Sequence, residues 1–179
     1  MPTSLSISRP SPGEYPEWYA GEIEEVPYDD LLFGLQDSFD RTLPVLQALT
    51  PADLAWRYAP GKWNIKEIWQ HVIDVERILC YRALRYARQD ATVLSGFDEK
   101  KYAEISGADR REWNDMLREY RAVRAASIEL FKSFTPEMFL YKGTTGRSTA
   151  TVRAVGYLIL GHETHHVKTI RERYLNRKT

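Results

Sequence analysis

Four stretches of this chain repeat apolar side chains at the three- and four-residue spacing of an amphipathic helix, and no stretch alternates convincingly like a strand. Leu31, Leu32, Leu35, Phe39, Leu43, Leu46 and Leu49 predict a first long helix over 30–49, kinked rather than ended by Pro44. A second is predicted from Asn64, a good N-cap with Glu67 as its capping partner, to about 88. A third is predicted over 109–134 with Asp109 as cap, and a fourth over 149–174. Ahead of them, Tyr15, Trp18, Tyr19, Ile23 and Val26 predict a packed, partly helical lead-in that Pro27 breaks. Residues 89–108 read as a long crossover connection and 141–148 as a Gly- and Thr-rich loop. The Ser- and Pro-rich residues 1–13 read as a flexible N-terminal arm, or an extended strip on the surface. The expected architecture is all-α: a single four-helix-bundle domain over 14–179.

Composition narrows the function classes. With 179 residues, 5 Trp, 11 Tyr and 6 Phe, one domain has ample core material. The single cysteine, Cys80, rules out an intrachain disulfide and fits a reducing cytoplasm, where the protein is expected to reside. Formal net charge is +0 with no long like-charge block, so no nucleic-acid footprint is expected. No segment approaches the roughly 18 apolar residues of a membrane helix, and no signal peptide is recognisable at the N-terminus.

The candidate chemistry is histidine. The chain has 4 His, one in the second predicted helix (His71) and three in the fourth, within Gly-His-Glu-Thr-His-His. Residues four apart on a helix point the same way, so His162 and His166 form a pair that can grip one metal ion, as in His-Glu-x-x-His motifs. With His162 at 0°, the stripe of Val152, Val155, Ile159 and Ile170 centres near about 60°. His166 falls at about 40°, inside the stripe, and His165 at about −60°, outside it. A bundle metal site needs inward ligands, which selects His162 and His166. His71 lies about 80° from the centre of the stripe formed by Ile65, Ile68, Val72, Val75 and Leu79, at the rim of the buried face. The competing interpretation is a set of hydrogen-bonded structural histidines or a solvated patch.

Trp63-Asn64-Ile65-Lys66-Glu67 followed by His71, Asp74 and Glu76, then Leu94-Ser95-Gly96-Phe97-Asp98-Glu99, then Gly161-His162-Glu163-Thr164-His165-His166 together resemble the DinB-like family of bacterial bundle proteins. The resemblance runs from about 15 to 174. It implies a four-helix bundle with a long crossover and a zinc- or nickel-type divalent metal centre held by His71, His162 and His166. It does not imply one reaction. Some relatives look like transferases that join a low-molecular-weight thiol to an electrophile, others like metal-dependent hydrolases, and many have no known activity. Despite the family's damage-inducible name, DNA binding is not implied. The family often pairs, so a homodimer is expected, with the exposed N-terminal aromatics as an interface.

Candidate helpers are Glu163 and Asp74, with Asp98, Glu99 and Tyr102 on the crossover. Glu163 lies within the apolar side of its helix, so its carboxylate needs a partner. It would either orient a ligand imidazole or pair with a structural Arg or Tyr hydroxyl. Asp74 sits one turn from His71 and is either a site residue or a solvated carboxylate. Three function classes follow: a metal-dependent enzyme acting on a small molecule by S-transfer or hydrolysis, a non-catalytic metal-binding bundle, and a bundle whose histidines are incidental.

Overall fold

Three of the four long helices begin at a side-chain cap; the one that follows Glu112 has none. In the computed structural model, which describes residues 6–176, α1 (Ala20–Glu24) follows a single 3-10 turn at Glu17–Tyr19. Asp30 then accepts from the Phe33 amide to start α2 (Leu31–Gln47), which Pro44 does not end. A capping box between Thr50 and Asp53 starts the short α3 (Pro51–Ala55). The predicted box between Asn64 and Glu67 starts α4 (Ile65–Ala87). Asp98 caps α5 (Glu99–Ile105), α6 spans Trp113–Lys132, and Thr151 caps α7 (Val152–Thr169), which continues through a π-helical turn at Ile170–Leu175. The four long helices α2, α4, α6 and α7 form the bundle, with α4 lying most extensively against α7. Among the described residues no helix is long and apolar enough to cross a membrane.

Four expectations need correction. The crossover is not all loop, because it contains α5. The third long helix starts at Trp113, not at Asp109, because the Asp109 carboxylate is taken by Asn64 Nδ2 and Arg57 in the preceding turn. The stretch around 141–148 holds part of a small hairpin, β1 (Lys142–Thr145) and β2 (Ser148–Thr151), in antiparallel register Lys142↔Thr151 to Thr145↔Ser148. Gly146, at φ 58, supplies the positive φ of its two-residue turn. Four residues per strand are too few for alternation to show. Finally, the described part of the N-terminal arm is docked rather than flexible. Ile7 is buried, its amide donates to Asp30 Oδ2 (2.9 Å), and its carbonyl accepts from the Leu31 amide (3.0 Å). The Arg9 guanidinium donates to the Ile23, Val26 and Tyr28 carbonyls, closing the end of α1. Residues 1–5 lie outside the described residues.

The apolar core is split in two. One cluster gathers Leu31 and Leu35 of α2, Val75, Leu79 and Ala83 of α4, Ile128 and Phe131 of α6 and Leu158 to Leu160 of α7. The other gathers Leu46, Ile65, Trp69, Ile73, Met116, Tyr120, Val123 and Ile170. Between them every long helix turns a polar side chain inward: Ser38 and Thr42 from α2, Glu76 from α4, Arg124 and Ser127 from α6, and Glu163 from α7, all buried. The candidate site lies at the edge of this polar layer.

Candidate metal centre

α4 and α7 cross so that their histidines meet. His71, fully buried, projects from the second turn of α4; His162 and His166, one turn apart on α7, are partly buried. His162 Nε2 lies 2.9 Å from His71 Nε2 and 3.2 Å from His166 Nε2. The three ring centroids are 4.7, 5.0 and 4.5 Å apart. One nitrogen from each ring falls within 4.8 Å of the other two, and no carboxylate or thiol among the described residues belongs to the set. Nitrogens about 2.0–2.1 Å from a tetrahedral ion sit about 3.3 Å from one another, so the two spacings to His162 need only a few tenths of an ångström of opening to fit one.

The electrostatics suit a cation. Burial pushes the His71 imidazole down to about 4. Burial, then repulsion by His71 and His165, pushes His166 to about 3, and burial, then repulsion by His166, His71 and His165, holds His162 well below its ordinary value. At neutral pH all three rings are therefore uncharged, the protonation state in which imidazole ligates metals. Three neutral nitrogens facing one common point concentrate lone-pair density there, and a divalent ion is the natural occupant. The Trp63 ring packs against His71 (centroids 5.1 Å) and covers its outer side.

His166 also lines a cleft of ≈ 380 Å³ bounded by Tyr58, Lys62, Trp63, Lys100, Glu104, His165 and Tyr174. The loop after α3, the start of α5 and the end of α7 meet there. His165 is exposed and stays outside the three-nitrogen set, as the helical wheel requires, while its ring lies beside His166 (5.2 Å). Lys62 and Lys100 outnumber the one carboxylate of the cleft, Glu104, and the aromatic rings give it flat apolar walls.

The helpers expected from sequence stand elsewhere. Glu163 is not turned to a histidine: its carboxylate accepts from Arg124 Nη2 (2.6 Å), Tyr120 OH (2.8 Å) and Thr42 Oγ1 (3.2 Å). This is the structural Arg-and-Tyr pairing, and the bonds occupy the carboxylate that catalysis would need free. Asp74 accepts from Gln70 Nε2 (2.9 Å), lies 4.0 Å from Arg77, and is half-buried, so that desolvation raises its carboxyl above the ordinary value; it is not among the groups that meet at the histidines. Asp98 serves as the α5 cap, and Tyr102 lies against Phe97 on the surface. Sequence reasoning missed Glu76 and Arg124, which complete the buried network around Glu163. A signal for both existed. Each occupies a position on its helix where the three- and four-residue apolar stripe calls for a hydrophobe: Glu76 between Val72 and Leu79, Arg124 between Tyr120 and Ile128.

Comparison with known proteins agrees with this fold. The DinB superfamily model matches residues 35–170, so the chain belongs to that superfamily. YfiT from Bacillus subtilis, described as a probable metal-dependent hydrolase with an unusual four-helix bundle topology, superposes with a TM-score of 0.72 at 17% identity, covering 79% of this chain and 82% of that one. At that identity the likeness is one of fold. No curated protein matches.

Proposed function

We propose that this member of the DinB superfamily is a metal-dependent enzyme in which His71, His162 and His166 hold one divalent ion, zinc or nickel, beside a cleft that admits a small anionic substrate. The observation that carries it is the convergence of three imidazole nitrogens, with both His162 spacings close to those of metal ligands, and with His166 on the wall of a cleft. Structural zinc is usually closed by four protein ligands, whereas three protein ligands leave a position open, as catalytic sites do. Held by these three residues, a divalent ion would supply Lewis acidity, lowering the pKa of a water to near 7 or favouring a thiol as its thiolate. Neutral imidazoles leave the ion its full charge. Lys62 and Lys100 attract and orient an anion, and Trp63 shields His71 from bulk water.

Hydrolysis is the reaction favoured, since YfiT, which shares the fold, is described as a probable metal-dependent hydrolase. A low-molecular-weight thiol taking the place of water would turn the same centre to S-transfer. The protein is proposed to work in the cytoplasm, without nucleic acid or membrane as partner.

The deciding experiment is elemental analysis of protein purified without a histidine tag, repeated on His71→Ala. About one equivalent of zinc or nickel, lost in the variant, is expected. Wild-type stoichiometry in His71→Ala, or no affinity for either ion, would overturn the proposal. Parallel screens of esters and amides, and of thiol-plus-electrophile pairs, then assign the reaction; silence in both with metal bound leaves a non-catalytic metal-binding bundle.

A further inference from the structure

One guanidinium touches all four long helices. Arg124, on α6 and 1% exposed, donates through Nε and Nη2 to the two carboxylate oxygens of Glu76 on α4, both at 2.9 Å. Nη2 also reaches Glu163 Oε2 on α7 (2.6 Å). Nη1 donates to the Leu35 carbonyl (2.9 Å) and Ser38 Oγ (3.0 Å) on α2. Tyr120 and Thr42 complete the Glu163 carboxylate. The two carboxylates are placed tellingly. Glu163 directly follows His162, and Glu76 lies little more than a turn beyond His71. The helices that the guanidinium ties together are therefore the two that bring the metal-site nitrogens together, at a level adjoining those nitrogens.

We propose that Arg124 is a positioning residue for the three-histidine centre: by bridging Glu76 and Glu163 it sets the register and rotation of α4 against α7 in which His71 faces His162 and His166. Apolar packing specifies that register weakly. Apolar side chains repack around small shifts of one helix against another at modest cost when volume is conserved. A planar fork with fixed donor directions is less forgiving, because a shift of about 1 Å breaks several charge-assisted bonds at once. The layer also divides the core into two apolar clusters, so neither cluster alone extends across the level of the site. The inference rests on the three histidines being the metal ligands, and its test separates the two ideas.

Arg124→Lys keeps the buried charge but not the fork. Cobalt(II) titration, followed by its visible absorption, is expected to show affinity 10–100-fold below wild type and an altered spectrum, the usual scale for losing support behind a ligand. Phe134→Leu, in the apolar cluster away from the layer, serves as the control for stability. It is expected to lower Tm while leaving cobalt affinity within about threefold of wild type, since distant sites act independently. Should Arg124→Lys fail to fold, the apolar replacement Glu76→Met/Arg124→Met/Glu163→Met carries the same test, because removing all the charges together avoids an unpaired buried ion. Cobalt affinity unchanged in the folded variant, or lost equally in Phe134→Leu, would overturn the proposal. A metal-free crystal structure of the variant decides it independently. The His71–His162 Nε2 separation of 2.9 Å is expected to widen, and if it persists Arg124 does not position the centre. If wild type itself takes up no cobalt, the metal proposal fails, while this separation still reports on the register.

Discussion

Gly161, the residue before His162, is where the N-terminal lead-in is seated on α7, and replacing it with alanine tests that seat. A methyl group there would lie 2.5 Å from the Glu22 carbonyl oxygen, 2.8 Å from its carbon and 3.2 Å from the Glu22 Cβ. The two nearest atoms belong to the α1 backbone, so no rotamer change relieves the clash; α1 must move out by about 1 Å to restore ordinary contact. Overpacking of this kind costs about 1–3 kcal/mol. The alanine's better helix propensity offsets up to about 1 kcal/mol. A net loss of about 1–2 kcal/mol lowers Tm by about 2–8 °C in a chain of this size. Gly21 supplies the matched control. It lies within α1, an added Cβ meets nothing within 4 Å, and Gly21→Ala is expected to raise Tm by a degree or more. Thermal unfolding followed by circular dichroism on the two variants measures opposite signs for the same chemical change. If Gly161→Ala melts at or above wild type while Gly21→Ala behaves as expected, α1 is not packed on α7 at the metal centre.

Other outcomes follow from single residues. Gly143→Ala would drive a methyl to 1.7 Å from the Tyr86 ring, so it should detach the hairpin from α4 and raise protease cleavage near 146; intact resistance would refute that packing. Burial pushes the Cys80 thiol up to about 12, and it donates to Ser127 Oγ at 3.1 Å, so folded protein at pH 8 should react with iodoacetamide at least 100-fold more slowly than denatured protein. Lys62→Glu and Lys100→Glu should each weaken competition by small carboxylates severalfold while leaving metal content unchanged; unchanged competition would remove the anionic-substrate assignment. Trp18 and Phe33 are 67% and 62% exposed on the N-terminal side, and light scattering at micromolar concentration should return a homodimer mass; a monomer mass removes the dimer.

What was legible in the sequence was what periodicity encodes. Long apolar stripes, with the cap at Asn64, placed the bundle, and the same wheel that ordered the stripes sorted His162 and His166 inward from His165. The position of His71 at the edge of a buried face was legible for the same reason. Less legible was anything set by a partner distant in sequence. Asp109 has the composition of an N-cap, yet Asn64 and Arg57 claim its carboxylate. Ile7 lies in a segment whose Ser and Pro content suggests mobility, but the carbonyls at the end of α1 need donors and Arg9 supplies them. Glu163 was seen to face inward; what it would meet depended on Arg124, which wears the composition of an exposed helix face.

The buried charges bear on why the centre is where it is. Two carboxylates and one guanidinium in a dry layer do not favour stability, since apolar residues of similar volume are often as stabilising or more so. The layer also interrupts a core that could otherwise have been continuous between Leu35 and Leu46 on α2 and between Leu160 and Ile170 on α7. What the layer does contribute is direction. The Arg124 bonds reach α2, α4 and α7 at a single level, and that level adjoins the place where α4 and α7 present imidazole nitrogens to one another. Three neutral ligands from two helices hold an ion only while the two helices keep their relative rotation; a turn of α7 by the angle between adjacent residues, about 100°, would exchange His166 for His165 at the common point. The apolar stripe of α7 already opposes so large a turn, because it would carry Val155 and Ile159 out of the core; the polar layer limits the finer rotation that remains. With Glu163 held by Arg124, Tyr120 and Thr42, the rotation of α7 is set one residue away from His162, and the selection of His162 and His166 over His165 becomes a property of the buried layer as much as of the histidines themselves.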